Sequence, residues 1–173
     1  RREASLDRIH GLAEALARRG VRRCATGVKA RPNDVDPQVF ATLVRRLHCL
    51  RAYVGFETNT PAGLVTLGRS VSMAQNRRAL DVITQLGLHI AFNILLFDPD
   101  ARLADISSNV DFMRAAADHA FCVGRVQLYP GTPLLARMLE EDRCWGDFMS
   151  RDYHLASPEL ERVFRLFLHA LGE

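Results

Sequence analysis

His89-Ile90-Ala91-Phe92-Asn93-Ile94-Leu95-Leu96-Phe97, closed at once by Asp98-Pro99-Asp100, is the stretch that decides the fold of this chain. An almost continuously apolar run that ends in turn chemistry describes a strand covered on both faces, as parallel strands are. Two other hydrophobic runs end in polar tips. Val54-Gly55-Phe56-Glu57-Thr58-Asn59 precedes it, and Val126-Gln127-Leu128-Tyr129-Pro130-Gly131-Thr132-Pro133 follows it. Parallel strands gather their carboxyl ends on one rim, where α/β barrels bind ligands. Three such tips on one rim predict a site.

Helical spacing fills the intervals. Leu6, Ile9, Leu12 and Leu16 form one face of a helix over 6–19, stopped by Gly20. A short strand over 23–29 runs into Arg31-Pro32-Asn33-Asp34, and Asp36-Pro37 opens a second helix with Val39, Leu43 and Leu47 on its face. Strand 53–56, helix 71–86, strand 89–97, helix 103–117, strand 122–128 and a helix from 133 to about 140 follow. A loop containing Trp145 leads to a last helix over 158–171. Strands that alternate with helices imply a parallel sheet with right-handed crossovers. The expected fold is α/β: a partial TIM-type (β/α) barrel of four βα units plus flanking helices, in one domain over 1–173. Barrel repeats occupy about 1–140, and the loop and terminal helix occupy 141–173. A complete eight-fold barrel takes about 200–250 residues or more.

The bulk properties exclude several classes. A net charge of +3 is too small to argue for nucleic acid or a membrane surface. Lys29 is the only lysine, which reads as coding bias more than as an arginine site. No stretch approaches the roughly 20 apolar residues of a membrane span, and no signal peptide opens the chain. Cys24, Cys49, Cys122 and Cys144 are far apart and form no C-x-x-C pair, the pattern of incidental thiols in a cytoplasmic protein. No Gly-x-Gly-x-x-Gly, phosphate loop or G-x-S-x-G elbow occurs.

Each tip has a chemical and a plain reading. Glu57 beside Thr58 suits a ribose diol or an ammonium group, since the pair accepts and donates at neighbouring points; the same residues can satisfy loop amides. Arg69 and Arg31 can clamp a carboxylate bidentately or simply be solvated. Asp98 and Asp100 can be acid, base or metal ligand, but Asp-Pro is also ordinary turn chemistry ahead of a helix. Asn93 needs partners wherever it is buried. Tyr129-Pro130-Gly131-Thr132-Pro133 can shape a pocket wall.

Taken in order, these tips resemble the C-terminal part of the catalytic barrel of radical S-adenosylmethionine (SAM) enzymes, most of all the group associated with a cobalamin-binding domain. The matching residues are Arg31, Gly55-Phe56-Glu57-Thr58, Leu64 through Arg69, Phe97-Asp98-Pro99 and Tyr129-Pro130-Gly131-Thr132-Pro133-Leu134, spread over about 6–140. The resemblance implies that Glu57 and Thr58 hold the ribose and amino-acid portion of SAM and that Arg69 meets its carboxylate. It places Asn93, Leu95, Phe97 and the backbone near Leu128 beside the adenine. Arg31, Gly55 and Tyr129 complete the expected cofactor-binding set, with Tyr129 also facing the substrate.

Thr58 stands where the family has serine and keeps the hydroxyl. The C-x-x-x-C-x-x-C that binds the 4Fe–4S cluster does not occur here, so its ligands are expected outside this chain, in a longer parent of which this is an excerpt. Alone, the chain is expected to be inactive. The implied partners are a small-molecule or peptide substrate, the remainder of the barrel and an upstream domain. The resemblance leaves open whether cobalamin takes part, and whether the reaction is methyl transfer or hydrogen abstraction. The rival readings are a metal-independent barrel enzyme, with Glu57 or Asp98 as acid or base, and a non-catalytic SAM- or partner-binding module.

Overall fold

A computed structural model describes residues 2–21 and 24–172. In chain order its elements are α1 (Arg2–Arg18), β1 (Thr26–Ala30), a 3-10 turn (Pro32–Asp34), α2 (Pro37–Leu47), β2 (Cys49–Val54), α3 (Pro61–Thr66) and α4 (Met73–Gln85). Then come β3 (His89–Phe97), α5 (Leu103–Ala115), β4 (Ala120–Arg125), α6 (Pro133–Glu140), β5 (Cys144–Gly146), β6 (Arg151–Tyr153) and α7 (Pro158–Leu171). Among the described residues, β1-β2-β3-β4 form one sheet in that order, with β1–β2 and β2–β3 parallel. Strands in sequence order with helical crossovers are the (β/α) barrel pattern. The expected first strand begins at Arg23, which lies outside the described residues.

Four helices start alike. Asp36, Thr60, Thr132 and Ser157 each accept a backbone N–H from the first turn, and each is followed by proline at the first helical position. The side chain satisfies an orphan donor, and proline supplies a φ already suited to the helix. Among the described residues, no helix is long and apolar enough to cross a membrane.

The chain divides into two compact units. The first comprises Arg1–Phe56, Met73–Asn93 and Ala116–Cys122. Its core lies on one face of the strands, where Ala52, Val54, Phe56, Ile90 and Phe92 are buried with Phe40, Leu47, Ala79 and Ile83. Phe92 meets Phe56 edge-on at 5.3 Å and Phe121 at 5.4 Å between ring centroids. Helix α2 packs on α1, β2 and α4. The opposite strand face is only partly covered: Lys29, Tyr53 and Ala91 form one row across the register, with the Lys29 ammonium 5.7 Å from the Tyr53 ring. Strand β3 therefore alternates between buried and half-exposed positions up to Leu96 and is not uniformly covered.

The second unit comprises Glu57–Ser72, Ile94–Ala115 and Val123–Glu173. Phe97 packs on Phe164 and Phe167 of α7, at 4.9 and 5.4 Å. The Arg125 guanidinium lies over the rings of Tyr153 and Phe164, at 4.0 and 4.5 Å. It also pairs with Asp152 at 2.7 Å. The segment around Trp145 is more than a loop: β5 and β6 pair antiparallel as a hairpin, and Trp145 stacks on His154 at 4.4 Å.

Candidate functional site

The β2 tip leaves its strand abruptly. The Phe56 amide donates to Val54 O at 2.9 Å, which tightens the chain around Gly55, whose own amide donates to Ala30 O at 3.1 Å. Pairing is Tyr53↔Ala91 before the tip and Glu57↔Ile94 after it, so four steps along one strand match three along the other. That is a β-bulge, a device that re-aims a side chain at a strand end. Glu57 takes the left-handed conformation, with φ +63. For a residue with a Cβ this costs roughly 1–2 kcal/mol, so the surroundings must hold it there.

Glu57 is half-buried. Burial pushes its carboxyl above the ordinary value, and the charge of Arg69 pulls the other way. Arg69 owes its place to α3. The Leu67 amide donates to Gly63 O at 2.9 Å, and the Arg69 amide to Leu64 O at 2.8 Å, with Gly68 between them at φ +58. This glycine-terminated turn explains the Leu64-to-Arg69 spacing. Thr58 is fully buried, with its hydroxyl 3.4 Å from both the Thr60 hydroxyl and the Asn109 amide.

The β3 tip is an Asx-turn. The Asp98 carboxylate accepts the Asp100 amide at 3.0 Å, and its carbonyl accepts the Ala101 amide at 3.1 Å. Asp98 is 2% exposed, and burial raises its pKa to about 6, with the charges of Asp100 and Asp105 adding to the rise. Asp100 is a hub: it accepts from Thr66 Oγ1 at 3.1 Å, from Arg143 at 3.0 Å and from Arg137. Burial disfavours its charge, but the Arg137 and Arg143 hydrogen bonds outweigh this and hold it below the usual carboxylate range. At the β4 tip, Tyr129 O accepts the Thr132 amide at 3.3 Å across Pro130 and Gly131, the latter at φ +78. Proline and glycine there satisfy a type II turn.

Within the second unit a cavity of about 610 Å³ opens between Val65–Gly68, Asp100, Gln127, Thr132–Leu134 and Arg137. Its size suits a small-molecule ligand. It adjoins the expected contacts in sequence, Gly68 beside Arg69 and Gln127 beside Leu128, without being lined by them.

Of the expected residues, the second unit brings Glu57 into the field of Arg69 and joins Glu57 O to the Leu95 amide at 2.6 Å. Leu128 is buried, while Tyr129 is 60% exposed and donates its hydroxyl to Gln127. The Phe97 side chain points into the aromatic cluster with α7, and its carbonyl accepts the Tyr153 hydroxyl at 2.7 Å. In the first unit, Arg31 is exposed ahead of the 3-10 turn, and Gly55 and Asn93 are half-covered. Asn109, and the Arg137 and Arg143 partners of Asp100, escaped sequence reasoning. No local pattern ties Asn109 to Thr58, nor Asp100 to arginines 37 and 43 positions further on.

The four cysteines are free, and among the described residues no group of three or more His, Cys, Asp or Glu could hold a metal. This chain's own residues do not fit a 4Fe–4S cluster. Glu57 and Arg69 supply one carboxylate and one guanidinium, the first lying in the field of the second.

No family model matches the sequence, and no curated protein matches it. Solved structures do. The cobalamin-dependent SAM radical enzyme OxsB superposes with a TM-score of 0.73 at 15% identity, over 88% of this chain and 29% of that one. The radical SAM methyltransferase TsrM from Kitasatospora setae, with tryptophan substrate and aza-SAM bound, gives 0.66 at 20% identity, over 79% and 26%. Elp3 from the archaeon Methanocaldococcus infernus gives 0.58 at 16% identity, over 70% and 29%. The chain thus spans less than a third of each of these proteins. Its four parallel-strand βα units have the fold of part of the radical SAM barrel.

Proposed function

We propose that this chain is the SAM-binding portion of a radical SAM enzyme and that Glu57 and Arg69 are its principal contacts. The supporting observation is the β2 tip: a left-handed Glu57, half-buried and within the field of Arg69. The Glu57 carboxylate accepts from the ribose hydroxyls or the ammonium of SAM, and Arg69 pairs with its carboxylate. Both partners are desolvated on binding, which strengthens the pairing beyond its value in water. SAM, when bound, supplies the carbon–sulfur bond that such enzymes cleave. Within the second unit Leu95, Phe97, Leu128 and Tyr129 are the further proposed contacts, with Leu128 acting through its backbone because its side chain is buried.

The 4Fe–4S cluster is assigned to residues outside this chain, so the chain alone holds SAM without cleaving it. Cobalamin-dependent methyl transfer is the favoured reaction class, on the likeness to OxsB and TsrM. A small-molecule or peptide substrate, the remaining barrel strands and an upstream domain are the proposed partners, with exposed Tyr129 facing the substrate. Free thiols favour the cytoplasm. The rival acid–base role for Asp98 gains nothing from its position, since at 2% exposure and bound into its own turn it meets no substrate.

Anaerobic EPR of the complete gene product, reduced with and without SAM, tests the proposal. A 4Fe–4S signal that changes on adding SAM is expected. A product that takes up no cluster after reconstitution overturns the radical chemistry, and retained SAM binding would then make it a non-catalytic binding module.

A further inference from the structure

We propose that Asn109 of α5 is a positioning residue for Glu57, and that Thr58 belongs to the same buried clamp and does not touch the ligand. The role of Glu57 itself rests on the function proposed above. The left-handed backbone of Glu57 is held from both sides. On one side its carbonyl accepts the Leu95 amide at 2.6 Å. On the other, α5 takes both polar backbone atoms of Asn59: Asn109 Oδ1 accepts the Asn59 amide at 2.6 Å, and the Ser108 hydroxyl donates to the Asn59 carbonyl at 3.2 Å. Two residues past a strained position, the chain has no freedom left.

The clamp excludes water. Thr58 is 0%, Thr60 1% and Asn109 1% exposed. A methyl group at Gly63 would come within 2.5 Å of the Thr58 hydroxyl and 2.9 Å of the Thr60 hydroxyl. Thr58 Oγ1 thus lies against the Gly63 backbone and the Asn109 amide. The short Asn109–Asn59 bond fixes the turn, and Thr58 fills the buried space beside it. With Asn109 gone the half-buried Asn59 amide must find another acceptor by moving, and that movement rotates Glu57 out of its half-buried setting.

Two readouts separate positioning from mere stability: the pH titration of the Glu57 side-chain carbon by NMR, and SAM affinity by calorimetry. Asn109→Leu keeps the volume and removes the acceptor; Gly63→Ala pushes on Thr58 from the other side. In both, the Glu57 midpoint, raised by burial and opposed by Arg69 in the wild type, should fall toward the ordinary glutamate value. SAM affinity should drop about tenfold or more. Thr58→Val removes a hydroxyl from the clamp, so any loss of SAM affinity should be accompanied by a shift of the Glu57 midpoint.

An unmoved Glu57 titration in folded Asn109→Leu overturns the proposal. So does a Thr58→Val variant that loses SAM while Glu57 titrates as in the wild type, since Thr58 is then a ligand contact. If Asn109→Leu does not fold, hydrogen exchange at the wild-type Asn59 amide decides: protection of about a hundredfold or more supports the clamp, and rapid exchange refutes it. A wild type that binds no SAM refutes the proposed function, while the Glu57 titration still tests the clamp.

Discussion

Replacing Asp98 by asparagine should make the chain more stable at pH 8 and leave it unchanged near pH 4. The carboxyl is buried at 2% exposure beside Asp100 and Asp105, and its pKa rises from 3.8 to about 6. Between those values the folded state binds more protons than the unfolded state, so stability falls as pH rises through the window and stays low above it. At 1.36 kcal/mol per pKa unit, the rise to about 6 corresponds to about 3 kcal/mol lost by pH 8. Asparagine keeps the oxygen that accepts the Asp100 amide at 3.0 Å and removes the charge. For a chain of this size that is a gain of roughly 6–12 °C in Tm. Thermal and urea denaturation of both proteins at intervals from pH 4 to pH 8 measure the difference directly. A variant less stable than the wild type at pH 8, or a difference that does not change across the range, refutes the reasoning.

Other substitutions probe the supports of the rim. Tyr153→Phe removes the buried donor to Phe97 O and should cost about 1–3 kcal/mol in urea denaturation; an unchanged midpoint contradicts the bond. Asp100→Asn leaves Arg137 and Arg143 without their shared carboxylate and should destabilise the chain at neutral pH by about 1–3 kcal/mol. Because Asp100 is held below the usual range, its contribution is present above the ordinary aspartate value and lost as pH falls through the depressed one. The wild type and Asp100→Asn should therefore converge in strong acid; a constant gap counts against the ion-pair account.

The most regular signals in the sequence translated best. β3 and α7 occupy the expected spans 89–97 and 158–171, because a long apolar run and a capped amphipathic face leave little choice. Thr60-Pro61 carries the same start signal as Asp36-Pro37, yet α3 went unrecognised because it is only six residues long and has no apolar period to read. Strand β2 begins at Cys49 and not at 53, since Arg51 and Leu50 are exposed and interrupt the hydrophobic pattern. The hairpin at Trp145 has three-residue strands held by pairing, which composition does not reveal. Glu57 and Arg69 could be read as candidates from their places after one strand end and ahead of the next helix. The clamp could not: Asn109 reaches Thr58 across 51 positions, and nothing local in a helix of mixed polarity marks which amide will be buried.

The most direct measurement is calorimetric titration of SAM into the wild-type chain and into Glu57→Gln and Arg69→Gln. Saturable binding that weakens about tenfold or more in each variant, with both still folded, is the expected result. A wild type that does not bind SAM, or one whose affinity ignores both substitutions, would contradict the assignment of the β2 tip as the SAM site.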